Sequence, residues 1–292
     1  HDDVEVGRDS LSSLLHEASR KPHPDVLYPT LLKPARHNYP EFIDEQGQSV
    51  STGGTRVLPV VDRGDIDQKQ ADPGPILGGS TAGMFVRLEA WSRLDGFDPA
   101  LPLFRDGVDF GWRANEAGMV VRTAPTCTIH HRQAGRGWQR ESNLAPRPDA
   151  TDRLAGMRMV AARTGHPTRT SFALLLASVW RFIVLLVGKA PSRAADEWRA
   201  GWQLWKTRSV TREMSQRLQE FHAQCDPDDL ENTKRLLPSR RSVWARAVDR
   251  YAGDLSDRMH PWRNEDGTTI DDLTGDDFTA RDHRFVVNPY IV

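Results

Sequence analysis

The run SFALLLASVWRFIVLLVG, Ser171 to Gly188, constrains this chain more than any other stretch. Its only charge is Arg181, so the segment has to leave water as a helix. A helix that crosses a bilayer needs about 20 largely apolar residues, and a charge near its middle is costly there. Contact with a membrane surface is therefore expected in preference to a full span, with a core helix of a soluble protein as the alternative. The next segment, AADEWRAGWQLWKTRSVTREMSQRLQEF from Ala194 to about Phe221, places Trp198, Trp202 and Trp205 at i, i+4 and i+7 with Arg and Lys alongside. One helical face carries three indoles, as interfacial helices often do. Packing against a neighbouring domain would give the same stripe.

Upstream of these helices the pattern changes period. DSLSSLLHEASR predicts an amphipathic helix from about Ser10 to Arg20, and DVLYPTLL a strand from Asp25 to Leu32. Residues 36–76, rich in Gly, Pro, Asp and Gln, read mostly as loop over a sheet edge, with short strand-like pieces such as TRVLPVV. An apolar run after GGSTAG, a short helix from about Leu88 to Leu94, and a helix from about Asp106 to Ala117 stopped by Gly118 follow. MVVRTAP and CTIHHRQAG read as two further strands. Strands and helices in alternation imply an α/β layer architecture.

Composition removes several functions. A chain of 292 residues, 38% apolar and 27% charged, can build a real core. Its formal net charge of −1 gives no overall electrostatic case for nucleic acid, and the Arg-rich RRSVWARAVDR at most forms a local patch. Two cysteines, Cys127 and Cys225, make neither a zinc site nor a disulfide framework, which fits a reducing compartment. The acidic stretch from Asp249 to Asp282 lacks the spacing of an EF-hand loop and reads as solvated surface. The opening HDDVEV has no signal peptide and looks cut from something longer, and the apolar end HRFVVNPYIV looks interrupted.

Two carboxylate groups remain. In FRDGVDFGWR, Asp106 and Asp109 are three residues apart, so in a first helical turn they share a face. They suit acid/base work, and they equally suit an N-terminal cap, where a carboxylate meets unpaired backbone N–H groups. In HDDVEV, the residues His1, Asp2 and Asp3 would leave the carboxyl end of a sheet, where ligands of open α/β proteins bind. Such carboxylates suit a hard cation that also holds diphosphate oxygens.

The order HDD, GGSTAGMFVR, GFDPALPLFRDGVDFGWR, APTCTIHH resembles family 2 glycosyltransferases of the GT-A fold, particularly the large membrane-bound actinobacterial kind. The resemblance implies a partial GT-A, Rossmann-like mixed sheet with flanking helices over residues 1–148. A mostly helical, membrane-associated region follows over 149–248, and an acidic, loop-rich linker over 249–292. It implies a Mg²⁺ or Mn²⁺ ion held by Asp3 and His131, with His1 and Asp2 nearby, and His131 suits the position better than His130. Gly79, Ser80, Thr81, Ala82 and Gly83, with Trp112 and Arg113, would bind the acceptor. The catalytic base would be Asp106 or Asp109, with Asp106 preferred.

The implied activity is inverting, metal-dependent transfer from a nucleotide-diphosphate sugar to a cell-envelope glycan or lipid-linked acceptor, at the cytoplasmic face of a membrane. The donor's base and ribose would be bound by strands upstream of His1. One position departs from the family: its acidic motif carries the base where this chain has Gly107. A non-catalytic GT-A-like module that binds glycan or scaffolds a membrane complex is thus the alternative. An Asp placed at 107 is expected to be accommodated sterically.

Overall fold

The structure is a computed structural model that describes residues 3–34, 40–132, 146–239 and 241. His1, Asp2, nearly all of the Arg-rich segment and the whole acidic stretch lie outside the described residues.

Every residue of VLYPTLL is buried, and it forms the central strand of a mixed sheet. The strands in chain order are β1 (Val4–Val6), β2 (Val26–Leu32), β3 (Ile43–Glu45), β4 (Ser49–Val50), β5 (Arg56–Val57), β6 (Phe85–Val86) and β7 (Val121–His131). β2 lies parallel to β7, from Val26 opposite Val121 to Leu32 opposite His130. A continuous apolar run is what a strand covered on both faces requires. β1 pairs antiparallel with the end of β7, while β3 and β6 pair antiparallel with the two ends of β2 on its other side. β4 and β5 form a separate ribbon.

The two strands expected around residues 119–131 are one strand of 11 residues. Its pairing with β2 slips between Pro29 opposite Ala124 and Thr30 opposite Thr128. Pro125 falls in this gap and has no N–H for the ladder, so the irregularity sits where the sequence suggested a break.

Three helices cover the sheet: α1 (Ser10–Ser19), α2 (Leu88–Arg93) and α3 (Asp106–Glu116). Alternation along β2 sends Leu27 and Leu31 to the α1 side with Leu14, Ala18 and Ile129. Val26 and Tyr28 face the α3 side with Phe110, Ala114 and Leu94. Burying a side chain such as Phe110 contributes about 1.5–3 kcal/mol. Gly118 takes φ +73° directly after α3, as its expected role as the stop requires.

Five helices complete the described chain: α4 (Pro148–Ala162), α5 (Pro167–Val187), α6 (Pro191–Lys206), α7 (Arg208–His222) and α8 (Pro227–Lys234). The Ala194–Phe221 pattern is two helices, broken at Thr207. There the Thr207 hydroxyl accepts from Arg158 Nη2 at 2.7 Å and donates to the Gln203 carbonyl at 2.7 Å.

The helical region is welded to the sheet side. Ala155 and Met159 of α4 and Met214 and Leu218 of α7 share one core cluster with Leu77, Val108 and Trp112. A Cβ on Gly156 of α4 would meet the Gly54 carbonyl oxygen at 2.2 Å, so backbone lies directly on backbone there.

Candidate active site

The start of α3 is built by contacts that only glycine permits. A Cβ on Gly107 would stand 2.5 Å from the Gly79 carbonyl oxygen. One on Gly78 would stand 2.7 Å from Val108 Cα, and one on Gly111 2.7 Å from Gly78 Cα. The Tyr28 hydroxyl clamps the same turn by donating to the Gly107 carbonyl at 2.7 Å. The expectation that Asp at 107 is accommodated is therefore corrected, because the obstacle is main chain on a packed segment. Gly107→Ala is expected to cost about 1–3 kcal/mol by overpacking, read as a lowered denaturation midpoint.

Asp106 is the first residue of this helix and is half-buried. Removal of water pushes its carboxyl up to about 6; backbone N–H groups of Gly107 and Asp106 oppose the shift, and the Asp109 charge adds to it. Arg105, immediately before it, takes φ +67°, a left-handed conformation unfavourable for a side-chain-bearing residue. Its guanidinium is held by Asp152 of α4, Nε to Oδ1 at 2.7 Å and Nη2 to Oδ2 at 3.0 Å. The same Asp152 Oδ1 accepts from Arg56 Nη2 at 2.7 Å.

Asp109 has a different character. It has no exposed surface, and both its oxygens are held: Arg113 Nε donates to Oδ2 at 2.8 Å and Arg163 Nη2 to Oδ1 at 2.9 Å. Although burial alone would raise its pKa, the two guanidinium groups hold the carboxyl below its ordinary range. Of the two candidate bases, Asp109 is thus the one committed to ion pairs in the interior, and Asp106 the one that keeps an exposed edge.

Arg113 and Trp112, expected at the acceptor, are likewise held by contacts within the protein. Besides Asp109, Arg113 donates to the carbonyls of Leu94 at 2.7 Å and Gly96 at 2.8 Å. Trp112 lies in the shared core with the Arg163 guanidinium 4.1 Å from its ring centre.

In the small-residue segment, Gly79 and Ala82 are buried and serve packing, with a Cβ on Gly79 falling 2.6 Å from the Tyr28 ring. Gly83 takes φ +74° against Ile129. Ser80 and Thr81 are half-buried.

Glu45 of β3 fixes the segment, and the sequence reading missed it. Its Oε1 accepts from the Ser80 N–H at 2.8 Å, and its Oε2 accepts from Gln48 Nε2 at 2.6 Å and Arg56 Nη1 at 3.3 Å. Its neighbour Asp44 points to the opposite face of the short strand, toward His131.

Asp3 and His131 come together, as their motif order implied. Asp3 precedes β1 instead of ending a strand, but the antiparallel pairing of Val4 with His131 returns it to the carboxyl end of β7. His131 Nε2 is 3.5 Å from Asp3 Oδ2, and Nδ1 is 3.4 Å from Asp44 Oδ2. The two carboxylates thus approach opposite ring nitrogens. Among the described residues no group of three or more His, Cys, Asp or Glu side chains is arranged to hold a metal ion. Mg²⁺ takes one or two carboxylates and completes its shell from phosphate and water, and the carboxylate and imidazole that meet at this end of β7 are those of Asp3 and His131. His130 turns the other way, to Glu41 Oε1 at 3.3 Å.

Asp3, Asp44 and His131 meet at the carboxyl end of the parallel β2–β7 pair, the kind of edge at which open α/β proteins bind ligands. The chain is similar to the N-acetylglucosaminyl-diphospho-decaprenol L-rhamnosyltransferase of Mycobacterium tuberculosis, strain CDC 1551 / Oshkosh, with 28% identity over 158 residues. The match covers 51% of each chain, and the protein of that name from strain ATCC 25618 / H37Rv gives the same figures. The chain therefore spans about half the length of the curated relatives it matches. No family model matches. The similarity supports a glycosyltransferase.

Proposed function

We propose that the chain is part of an inverting glycosyltransferase of the GT-A type, which moves a sugar from a nucleotide-diphosphate donor to a lipid-linked or other cell-envelope glycan acceptor at the cytoplasmic face of a membrane. The observation that carries this reading is Asp106, a half-buried carboxylate with its pKa lifted to about 6 at the start of a helix braced by glycine contacts. A base is most effective when its pKa lies near the working pH. The relatives' printed name, an L-rhamnosyltransferase acting on a decaprenol-linked sugar, supports the reaction class and the kind of acceptor.

In this scheme the acceptor hydroxyl sits against Asp106. Its oxygen bonds to the anomeric carbon as the bond to the donor's diphosphate breaks, and its proton passes to the Asp106 carboxylate. Ser80 and Thr81 orient the acceptor beside that carboxylate. Asp3 and His131 are the residues that would hold a Mg²⁺ or Mn²⁺ ion, whose chemistry when bound is to stabilise charge growing on the diphosphate. Gly107 does not argue for the scaffold reading, because the packing against Gly79 demands glycine there whatever the neighbouring carboxylate does.

The test is a transfer assay with the protein carrying this chain, a panel of nucleotide-diphosphate sugars and polyprenyl-diphosphate-linked acceptors, with and without chelator. Product that depends on Mn²⁺ or Mg²⁺ supports the reading. No product from any donor leaves the chain as a binding module. Asp3→Asn is expected to remove the cation-dependent product while the melting temperature stays nearly unchanged, and full activity in that variant removes Asp3 and His131 from the scheme.

A further inference from the structure

α5 is long and apolar enough to cross a membrane, with a mean hydropathy of 2.1 in its best window, yet only 17% of that window is buried. A core helix would be mostly covered. Its buried stripe is narrow, consisting of Ser171, Leu174 and Ser178. On the opposite side Phe172, Leu176, Trp180, Ile183 and Val187 follow one another at helical spacing, with Trp180 66% and Val187 81% exposed. The face continues onto α6, where Trp198 and Trp202 are exposed and stacked with ring centres 6.2 Å apart. Phe182 meets Trp198 at 6.0 Å and Phe172 meets Trp205 at 5.5 Å, which joins the two helices into one apolar surface. Soluble monomers rarely expose a contiguous patch above a few hundred Å².

The charge around this surface has one sign. Residues 167–212 carry eight Lys and Arg but only Asp196 and Glu197 as acids, in a chain whose formal net charge is −1. Both acids are engaged within the protein, Asp196 by Arg147 at 3.1 Å and Glu197 by Arg153 at 2.9 Å. Arg169, Lys189, Arg199, Lys206 and Arg208 stand exposed around the apolar face.

We infer that the joined faces of α5 and α6 lie flat on an anionic lipid leaflet, with the indoles at headgroup depth and the basic side chains on lipid phosphates. The inference stands independently of the transfer reaction. A transmembrane placement of α5 conflicts with its packed side. Arg181, near the middle of the helix, reaches Glu197 Oε2 at 3.5 Å and Thr55 Oγ1 at 3.4 Å. Ser178 Oγ donates to Glu197 Oε1 at 3.0 Å, and a Cβ on Gly201 would fall 2.6 Å from Ser178 Cβ, so α6 is seated directly on α5. Crossing would draw Glu197, Arg153 and Arg181 into hydrocarbon, whereas lying in the interface leaves them where they are.

The experiment is flotation of the full chain with vesicles of phosphatidylcholine alone and of phosphatidylcholine with phosphatidylglycerol, at low and high salt, with tryptophan emission recorded. The expected result is flotation and a blue shift with the anionic vesicles, weakened by salt. Trp180→Glu and Trp202→Glu, each at an exposed position, should lower affinity by about tenfold or more per indole with unchanged circular dichroism. Three results overturn the inference: no flotation with either vesicle, retention that survives alkaline extraction as a spanning helix does, or a concentration-dependent dimer that hides the indoles without lipid.

Discussion

Asp106→Asn in the protein carrying this chain is expected to lower turnover by about 10²- to 10⁴-fold, the usual contribution of a general base. The amide still accepts from the Gly107 N–H but no longer takes a proton. The wild-type pH profile should fall on the acid side with a midpoint of about 6, since the carboxyl must be ionised to act. In the variant that limb disappears. Stability moves the other way. A carboxyl whose folded pKa is raised contributes stability at low pH that is lost as pH rises through about 6. The variant should therefore melt no lower than the parent at neutral pH. Turnover within a fewfold of the parent would remove Asp106 as the base.

Asp109→Asn, three residues along the same helix, is expected to do the opposite. Neutralising it leaves the buried Arg113 without its counter-charge and Arg163 with only Glu116, 3.8 Å from its Nε, a loss on the order of 3–5 kcal/mol. For a chain of this length that lowers the melting temperature on the order of 10 °C. Turnover per folded molecule at low temperature should change little. Because the folded pKa is depressed, the stability it contributes is complete above the ordinary carboxylate range and is lost as pH falls below it. A variant that melts like the parent would mean the two guanidinium groups find equivalent partners elsewhere. Calorimetry on the pair of variants separates the chemical carboxylate from the structural one.

Much of this arrangement is legible in the amino-acid order, because its signals are local. The leucine spacing of α1, the apolar run of β2 and the Gly118 stop of α3 are each set by near neighbours, and the elements form within a residue or two of their expected bounds. The approach of Asp3 to His131 was legible from motif order, which the β1–β7 pairing realises. What was illegible is non-local. Nothing near Asp109 shows that Arg163, 54 residues on, will take one of its oxygens, so two carboxylates at helical spacing read as equals. Asp44 and Glu45 sit in a Gly- and Pro-rich stretch that looks like loop, and nothing local announces their partners on β7 and in the Ser80 segment. Gly107 carries a second, non-local constraint. As a departure from a family motif it suggests a lost acid, whereas its place under the Gly79 carbonyl makes it a steric requirement.

The cluster that unites Val108 and Trp112 of α3 with Met159 of α4 and Met214 and Leu218 of α7 governs how the molecule comes apart. A boundary between the sheet and the helices can be drawn on paper at residue 148, but it runs through shared apolar contacts instead of around them. Amide hydrogens of α3 and α7 should consequently exchange with solvent through one common opening, and heat should melt the two regions in a single transition. A fragment that ends before α4 would present Leu77, Val108 and Trp112 to water together, as a sticky surface in place of a finished half.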